Sequence, residues 1–347
     1  MMRGLRWVRR LLGRAVRGAA GSRCLAPFLE RYYKDDIFIL NMHRVYPRDS
    51  GRLAANEGLK ISPESLELFV KTALAQGYNF LSLDQLHAML RGEAPFRGRS
   101  FVLTFDDGYR DNMALGLPIL KKHSVPFAVY LSPWYGETQE EPWWYTLENL
   151  VTRREGFVWN GAHVNCPKGA LREELFMRVR AEVLTSRKGA QACVRDLALA
   201  NGLTPPLVPG MFLSWKDVRA LADEPLLTFG NHGYTHPNLT LKTEDEIRGE
   251  FMRVNKAFLE HTGRVLQHYA YPYGLYSGNA LAVLRQLEAK TCVTTQQFSI
   301  TRDHVGGGLL ELPRVGLGDG DTPGSIMAKS FCFRLKKLIK GVSFEHV

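Results

Sequence analysis

The sequence predicts an α/β fold in which strand–helix units surround a parallel sheet or barrel, with a helical insertion in the middle of the chain. Three observations predict it. Short apolar runs rich in β-formers alternate with helical patterns. Residues 137–215 break that rhythm, with helical patterns and no convincing strand. The two segments richest in chemistry each follow directly on a strand-like run, as the site residues of parallel α/β proteins do. A chain of 347 residues, 45% apolar, is long enough to bury a full core as one large domain or two smaller ones.

Residues 1–24 come first and carry seven arginines and no acid, with Leu5, Val8, Leu12 and Val16 at near-helical spacing, so they read as a basic amphipathic helix. Strands are expected at 36–42, 100–105, 126–132, 226–231, 268–272, 291–295 and 311–315. Among the helices between them, 62–76 has Ser62 as N-cap, Pro63 at the first helical position and Gly77 as its stop. Helix 243–262 opens on a capping box of Thr243 and Glu246, buries Ile247, Phe251, Val254 and Phe258, and closes at Gly263. Helices at 111–122 and 278–289 complete the alternation. Within the insertion, helices are expected near 143–154, 171–186 and 189–201, behind the aromatic group Trp134, Tyr135, Trp143, Trp144 and Tyr145. That group serves equally well as core or as walls on which sugar faces stack. Residues 321–347, including the run at 326–340, form a second basic amphipathic segment, which leaves 25–320 as the main domain.

The formal net charge of +10 belongs to the two ends, because residues 25–320 hold 33 basic and 33 acidic residues. A nucleic-acid partner is not expected, since no groove-reading motif or aromatic–basic interleaving accompanies the charge. An anionic membrane surface bound through 1–24 and 326–340 is one expectation, and ordinary surface helices packed on the domain are the other. Arg14 and Arg17 interrupt the first apolar stretch before it reaches the length of a signal-peptide core. A cytoplasmic protein, peripheral on the inner face of the membrane, is therefore expected. Five cysteines without CxxC spacing fit reduced thiols in that compartment.

The sharpest local feature is Thr104-Phe105-Asp106-Asp107-Gly108-Tyr109. Adjacent carboxylates at a strand end would normally point to opposite faces, but a turn at Gly108 can bring both to one cleft, where a metal relieves their repulsion. On the tripeptide alone, a plain Asp-Asp-Gly turn is the simpler reading. The second feature is His232-Gly-Tyr-Thr-His236, whose two imidazoles can face one way on a helical turn and ligate zinc. Taken together, Asp107, His232 and His236 leave open coordination positions, the arrangement of a catalytic ion rather than a closed structural site.

In this order the two segments resemble the polysaccharide deacetylases with the NodB homology domain, carbohydrate esterase family 4, over roughly residues 36–136 and 212–318. The resemblance implies a distorted (β/α) barrel and a metal-dependent hydrolase that removes N-acetyl groups from amino sugars of a polysaccharide or lipid-linked glycan. It also implies Asp106 as general base, Asp107, His232 and His236 as ligands of one divalent ion, usually Zn2+, and the Tyr109 N–H at the oxyanion. Three departures stand out. Gly233 replaces a Ser or Thr, Ala270-Tyr271-Pro272-Tyr273 lacks the usual arginine, and neither His304 nor His346 follows a strand as the usual late histidine does. We expect Arg314 to orient the base in place of that arginine, although a surface ion pair would also explain it. We expect His43, in a segment similar to the Tyr-His-x-Val type of circularly permuted members, to be the acid, with a core or supporting histidine as the alternative. Tyr273 is expected to bind substrate. A deformylase or amidase on a lipid-linked amino sugar would use the same metal and base, and the other alternative is a catalytically silent glycan-binding module that has lost the motif arginine, against which the intact Asp106, Asp107, His232 and His236 speak.

Overall fold

The structure is a computed structural model that describes residues 26–340. Eight parallel strands form one curled sheet: β1 (Ile37–Met42), β2 (Asn79–Phe80), β3 (Ser100–Phe105), β4 (Phe127–Leu131), β5 (Leu227–Asn231), β6 (His268–Ala270), β7 (Thr291–Val293) and β8 (Val315–Gly316). Their order across the sheet is β7-β6-β5-β4-β3-β1-β8, with β2 beside the start of β3. Helices cover the outer face, and on the inner face residues of several strands pack together within the curl, so the central runs IFILNM, SFVLTF and FAVYL are apolar almost throughout and almost wholly buried.

The segment around Pro313 draws the two edges of the sheet together. Leu312 bridges Val293 of β7, and three residues later Val315 pairs with Leu40 of β1. This strap was expected as a strand over 311–315, but only Val315–Gly316 has ladder pairing. Pro313 has no N–H to give a ladder, and the chain turns there from one edge to the other. The side chain of Arg314, between the two contacts, ends fully buried.

The expected helices appear at Pro63–Ala75, Glu244–Thr262 and Gly278–Gln286. Ser62 accepts from the Ser65 N–H, and the Thr243–Glu246 capping box forms. The helix expected at 111–122 is instead a π-helical turn, Asn112–Gly116, followed by Leu117–Lys122. There Gly116 packs so closely that an added Cβ would lie 3.0 Å from Val45.

Residues 137–215 hold the helices Trp143–Arg153, Ala170–Val183 and Ala190–Ala200, but also a hairpin, Gly156–Trp159 paired with Ala162–Asn165, where no strand was expected. Its signal was Asn160-Gly161, whose positive φ angles of 51° and 78° suit the tight turn that the strands' twist favours. The insertion has its own apolar cluster, in which Trp143, Trp144 and Tyr145 are buried.

The C-terminal segment packs on the domain, the second of the two expectations for it. Residues 323–340 form one helix whose Ile326, Met327 and Ser330 are buried and whose Phe331 packs against the main core. The first half of its apolar face is taken up by the domain, while Leu338 near its end is exposed. The basic run at 1–24 and His346 lie outside the described residues. No helix among the described residues is long and apolar enough to cross a membrane. Cys166, Cys193 and Cys292 are free thiols.

Candidate active site

The strand ends bring His43, Asp106, Asp107, His232, His236 and Tyr273 to one cleft of about 390 Å3, roofed by the insertion. β3 continues its pairing one residue past its end, where the Asp106 N–H donates to Met42 O at 2.9 Å. Asp107 then takes a left-handed φ of +72°, followed by Gly108 at +74°. The reversal therefore begins at Asp107 itself, and it is what lets two successive carboxylates share a cleft. A left-handed non-glycine residue costs on the order of 1–3 kcal/mol, held here by the strand behind it.

The imidazoles do not sit on a helical turn, as expected, but on an irregular loop. Gly233 and His236 both have positive φ, +76° and +55°. A Cβ at Gly233 would meet Pro237 at 3.0 Å, so the hydroxyl residue that the resemblance led us to expect would be strained at this position. Other groups steady the loop: Asn231 Oδ1 accepts from the Gly233 N–H, and Glu250 accepts from both the N–H and the hydroxyl of Thr235.

Asp107, His232 and His236 each offer one ligand atom, all within 4.8 Å of one another. Asp107 Oδ1 lies 3.6 Å from His232 Nε2 and 3.3 Å from His236 Nε2, and the two Nε2 atoms are 3.2 Å apart. His232 Nδ1 faces Ala270 O at 2.9 Å, which assigns the proton to Nδ1 and leaves the Nε2 lone pair free. Asp107 Oδ1 is buried without a hydrogen-bond partner. Burial and the neighbouring Asp106 push the Asp107 carboxyl well above its ordinary range, while burial lowers His232, and burial with the nearby His232 lowers His236 further. Neutral imidazoles beside an orphaned carboxylate oxygen fit a divalent cation, and these three residues could hold one.

Arg314 reaches Asp106 with both prongs, Nη1 to Oδ1 at 2.7 Å and Nη2 to Oδ2 at 2.8 Å. Its Nε donates to Thr294 O and its Nη1 also to Thr104 Oγ1, so every arm of the fork is fixed. Burial alone would raise the Asp106 pKa, but Arg314, His232 and His43 outweigh it and hold the carboxylate well below the usual range. Ala270 belongs to an apolar cluster with Tyr130 and Val293, so the guanidinium arrives from the strap rather than from the loop after β6.

His43, just past β1, lines the same cleft. Burial pushes its pKa down to about 4 against the opposing pull of Asp106. Tyr273, also left-handed at φ +60°, stands edge-on to His236 at 4.4 Å between ring centroids and accepts a hydrogen bond from Trp143 Nε1. Tyr109 is buried, with its ring stacked on Phe212. His304 lies in a different cleft, beside Arg334 and the C-terminal helix. Sequence reasoning missed Asn41, whose Oδ1 is buried and unpartnered at the cleft, and Arg180, from the insertion helix Ala170–Val183. Nothing in their local sequence marks either one.

The profile of the family described as polysaccharide deacetylase matches residues 93–292, more than half of the chain. The chain belongs to the polysaccharide deacetylase family. It is accordingly a hydrolase of non-peptide amide bonds. Solved polysaccharide deacetylases share its fold. The deacetylase PplD of Streptococcus pyogenes, solved in complex with acetate, is 18% identical with a TM-score of 0.58 over 85% of this chain and 98% of that one. IcaB from Ammonifex degensii is 18% identical at 0.54 over 86% and 97%, and a de-N-acetylase from Aggregatibacter actinomycetemcomitans 16% at 0.54 over 84% and 98%. No curated protein sequence matches the chain.

Proposed function

We propose that this polysaccharide deacetylase hydrolyses the acetamide of an N-acetylated amino sugar in a glycan, with one divalent ion, Zn2+ by the chemistry of its ligands, held by Asp107, His232 and His236. The observation that carries the reading is the division of labour between adjacent carboxylates: Asp106 is clamped and ionised by Arg314, while Asp107 is left unpaired among neutral imidazoles. When bound, the ion would polarise the acetamide carbonyl and acidify water.

Asp106 takes a proton from the attacking water, and its pairing keeps it ionised for that task. Arg314 orients the carboxylate and does not itself meet the substrate. The Tyr109 N–H, which has no acceptor among the described residues, donates to the developing oxyanion. His43 rests neutral at pH 7, because burial has lowered it, and takes up a proton from solvent as negative charge builds on the oxyanion, while Asp106 returns to solvent the proton it took from the attacking water. It then passes that proton to the departing sugar amine. Tyr273 and Trp143 wall the sugar site.

Acetate release from an N-acetylated oligosaccharide, measured with added zinc and after chelation, tests the reading. Release that is lost on chelation, restored by zinc and abolished in Asp106→Asn is expected. Release that survives chelation would overturn the metal assignment. No release from any N-acetylated glycan would overturn the deacetylase reading itself.

A further inference from the structure

The deacetylase reading leaves one charged group in the cleft without a task. Arg180 projects from the insertion helix Ala170–Val183 into the same cleft as Asp106, Asp107 and His236. It is half-buried, and its guanidinium makes no ion pair and no hydrogen bond among the described residues. Most of the chain's other enclosed cations are paired: Arg44 with Asp111, Lys60 with Glu57, Arg52 with Glu148 and Arg314 with Asp106. Burial lowers the Arg180 pKa, and the opposing influence is the hydroxyl of Tyr273, not a carboxylate. An arginine carried into a cleft without a paired acid loses hydration that no contact within the protein replaces.

The surroundings are short of anions and rich in donors. Asp106 is already held by both prongs of its own arginine, and neither carboxylate of the cleft pairs with Arg180. The Tyr273 oxygen already accepts from Trp143 Nε1, so its own O–H is free to donate. A planar fork of donors without an acceptor, in one cleft with a free phenol, matches an oxyanion group with several acceptor oxygens.

Building on the deacetylase reading, we infer that the substrate is an acidic glycan: its acetamido sugar, or the unit next to it, carries a carboxylate or a phosphoryl group that Arg180 and Tyr273 bind. Carboxylate and phosphoryl share the recognition chemistry, and the ligands used in the test separate them. The insertion then selects the substrate while the strand ends carry out the reaction.

The test is a binding titration on the intact chain in the presence of a chelator, so that no anion can bind a metal, followed by the tryptophan fluorescence of Trp143 and Trp144. The ligands are methyl N-acetylglucosaminide, N-acetylglucosaminuronic acid and N-acetylglucosamine 1-phosphate. At least one acid should bind about tenfold or more tightly than the neutral sugar, the order expected of a charge-assisted pair. Arg180→Gln should erase that preference without changing the affinity for the neutral sugar, and Arg180→Lys should keep part of it. Preference for the uronate names a carboxylate substrate, and preference for the phosphate a phosphoryl one. Equal affinity for all three ligands, no measurable binding of either acid, or a preference that survives in Arg180→Gln overturns the inference. Acetate release separates the two readings: zinc-dependent release without charge preference leaves the deacetylase standing and removes the role of Arg180. Charge preference with no acetate release from any ligand or glycan does the reverse.

Discussion

The two sides of the cleft are built differently. On the barrel side, the groups around the open Asp107 oxygen are fixed by one another: Asp106 by both prongs of Arg314, Arg314 by Thr294 and Thr104, His232 by Ala270 O, and the histidine loop by Asn231 and Glu250. On the insertion side, Trp143, Trp144 and Phe176 offer apolar walls, and Arg180 is left unpaired. The difference teaches where each property resides. Chemistry that must be preorganised is placed on strand ends and braced from behind. The insertion's contribution to the cleft comes from an element with its own small core, which can change without disturbing the sheet.

The comparison predicts that damage on the barrel side is larger and of a different kind. Asp106→Asn should lower kcat by about 10²–10⁴, the range for loss of a general base, with zinc content by elemental analysis unchanged. A full metal complement with wild-type kcat would remove Asp106 from the base role. The next effect is on stability. Arg314→Ala leaves the Asp106 carboxylate buried and alone, at a cost of roughly 3–5 kcal/mol by denaturant unfolding, and kcat should fall with it. The double variant Asp106→Asn with Arg314→Met removes both charges and should be more stable than either single change. Independent, additive losses would mean that the pair does not act as a unit.

Asp107 should behave in the opposite sense to its neighbour. Its carboxyl is raised in the folded protein, so without metal it adds no penalty below the unfolded value near 4 and an increasing one as pH rises above it. Asp106 is lowered, so its contribution is present above its unfolded value and is lost as pH falls. Asp107→Asn should therefore raise the melting temperature of the chelated protein at pH 7. The same substitution should abolish the gain that zinc gives the wild type, about 2.7 kcal/mol at a free ion concentration one hundred times Kd. Thermal scans with and without zinc check both signs. A chelated Asp107→Asn protein that melts below wild type would show that Asp107 is satisfied without the ion.

Much of the barrel side was legible because its residues lie in contiguous segments. Thr104 to Tyr109 and His232 to His236 each follow a buried strand, and a parallel sheet leaves its carboxyl ends as the place where such segments meet. Arg314 could be nominated by noticing what Ala270 lacks, but its bidentate reach depends on the strap between β7 and β1, which no local pattern encodes. The backbone was harder to read. The left-handed turn begins at Asp107, and the histidines share a loop rather than a helical turn, because tertiary packing overrides the intrinsic preference of these residues. Asn41 and Arg180 were invisible for the same reason that the insertion is adaptable. Each is a single polar residue, and only the folded chain shows that it faces the cleft.

The smallest predicted effect lies on the insertion side and tests whether that wall only binds. Trp143 is buried, and its one polar group donates to Tyr273 at 2.9 Å, the contact that joins the insertion to the loop after β6. Trp143→Phe keeps most of the apolar volume and deletes that hydrogen bond, at a cost of about 1 kcal/mol. Tyr273 would lose a donor but keep its ring against His236, so the ligand loop should stay in place. KM for the glycan should therefore rise a few-fold while kcat and zinc content hold. If kcat falls as far as in Asp106→Asn, the wall takes part in positioning the reacting groups, and the division between a braced barrel side and an adaptable insertion side fails at this contact.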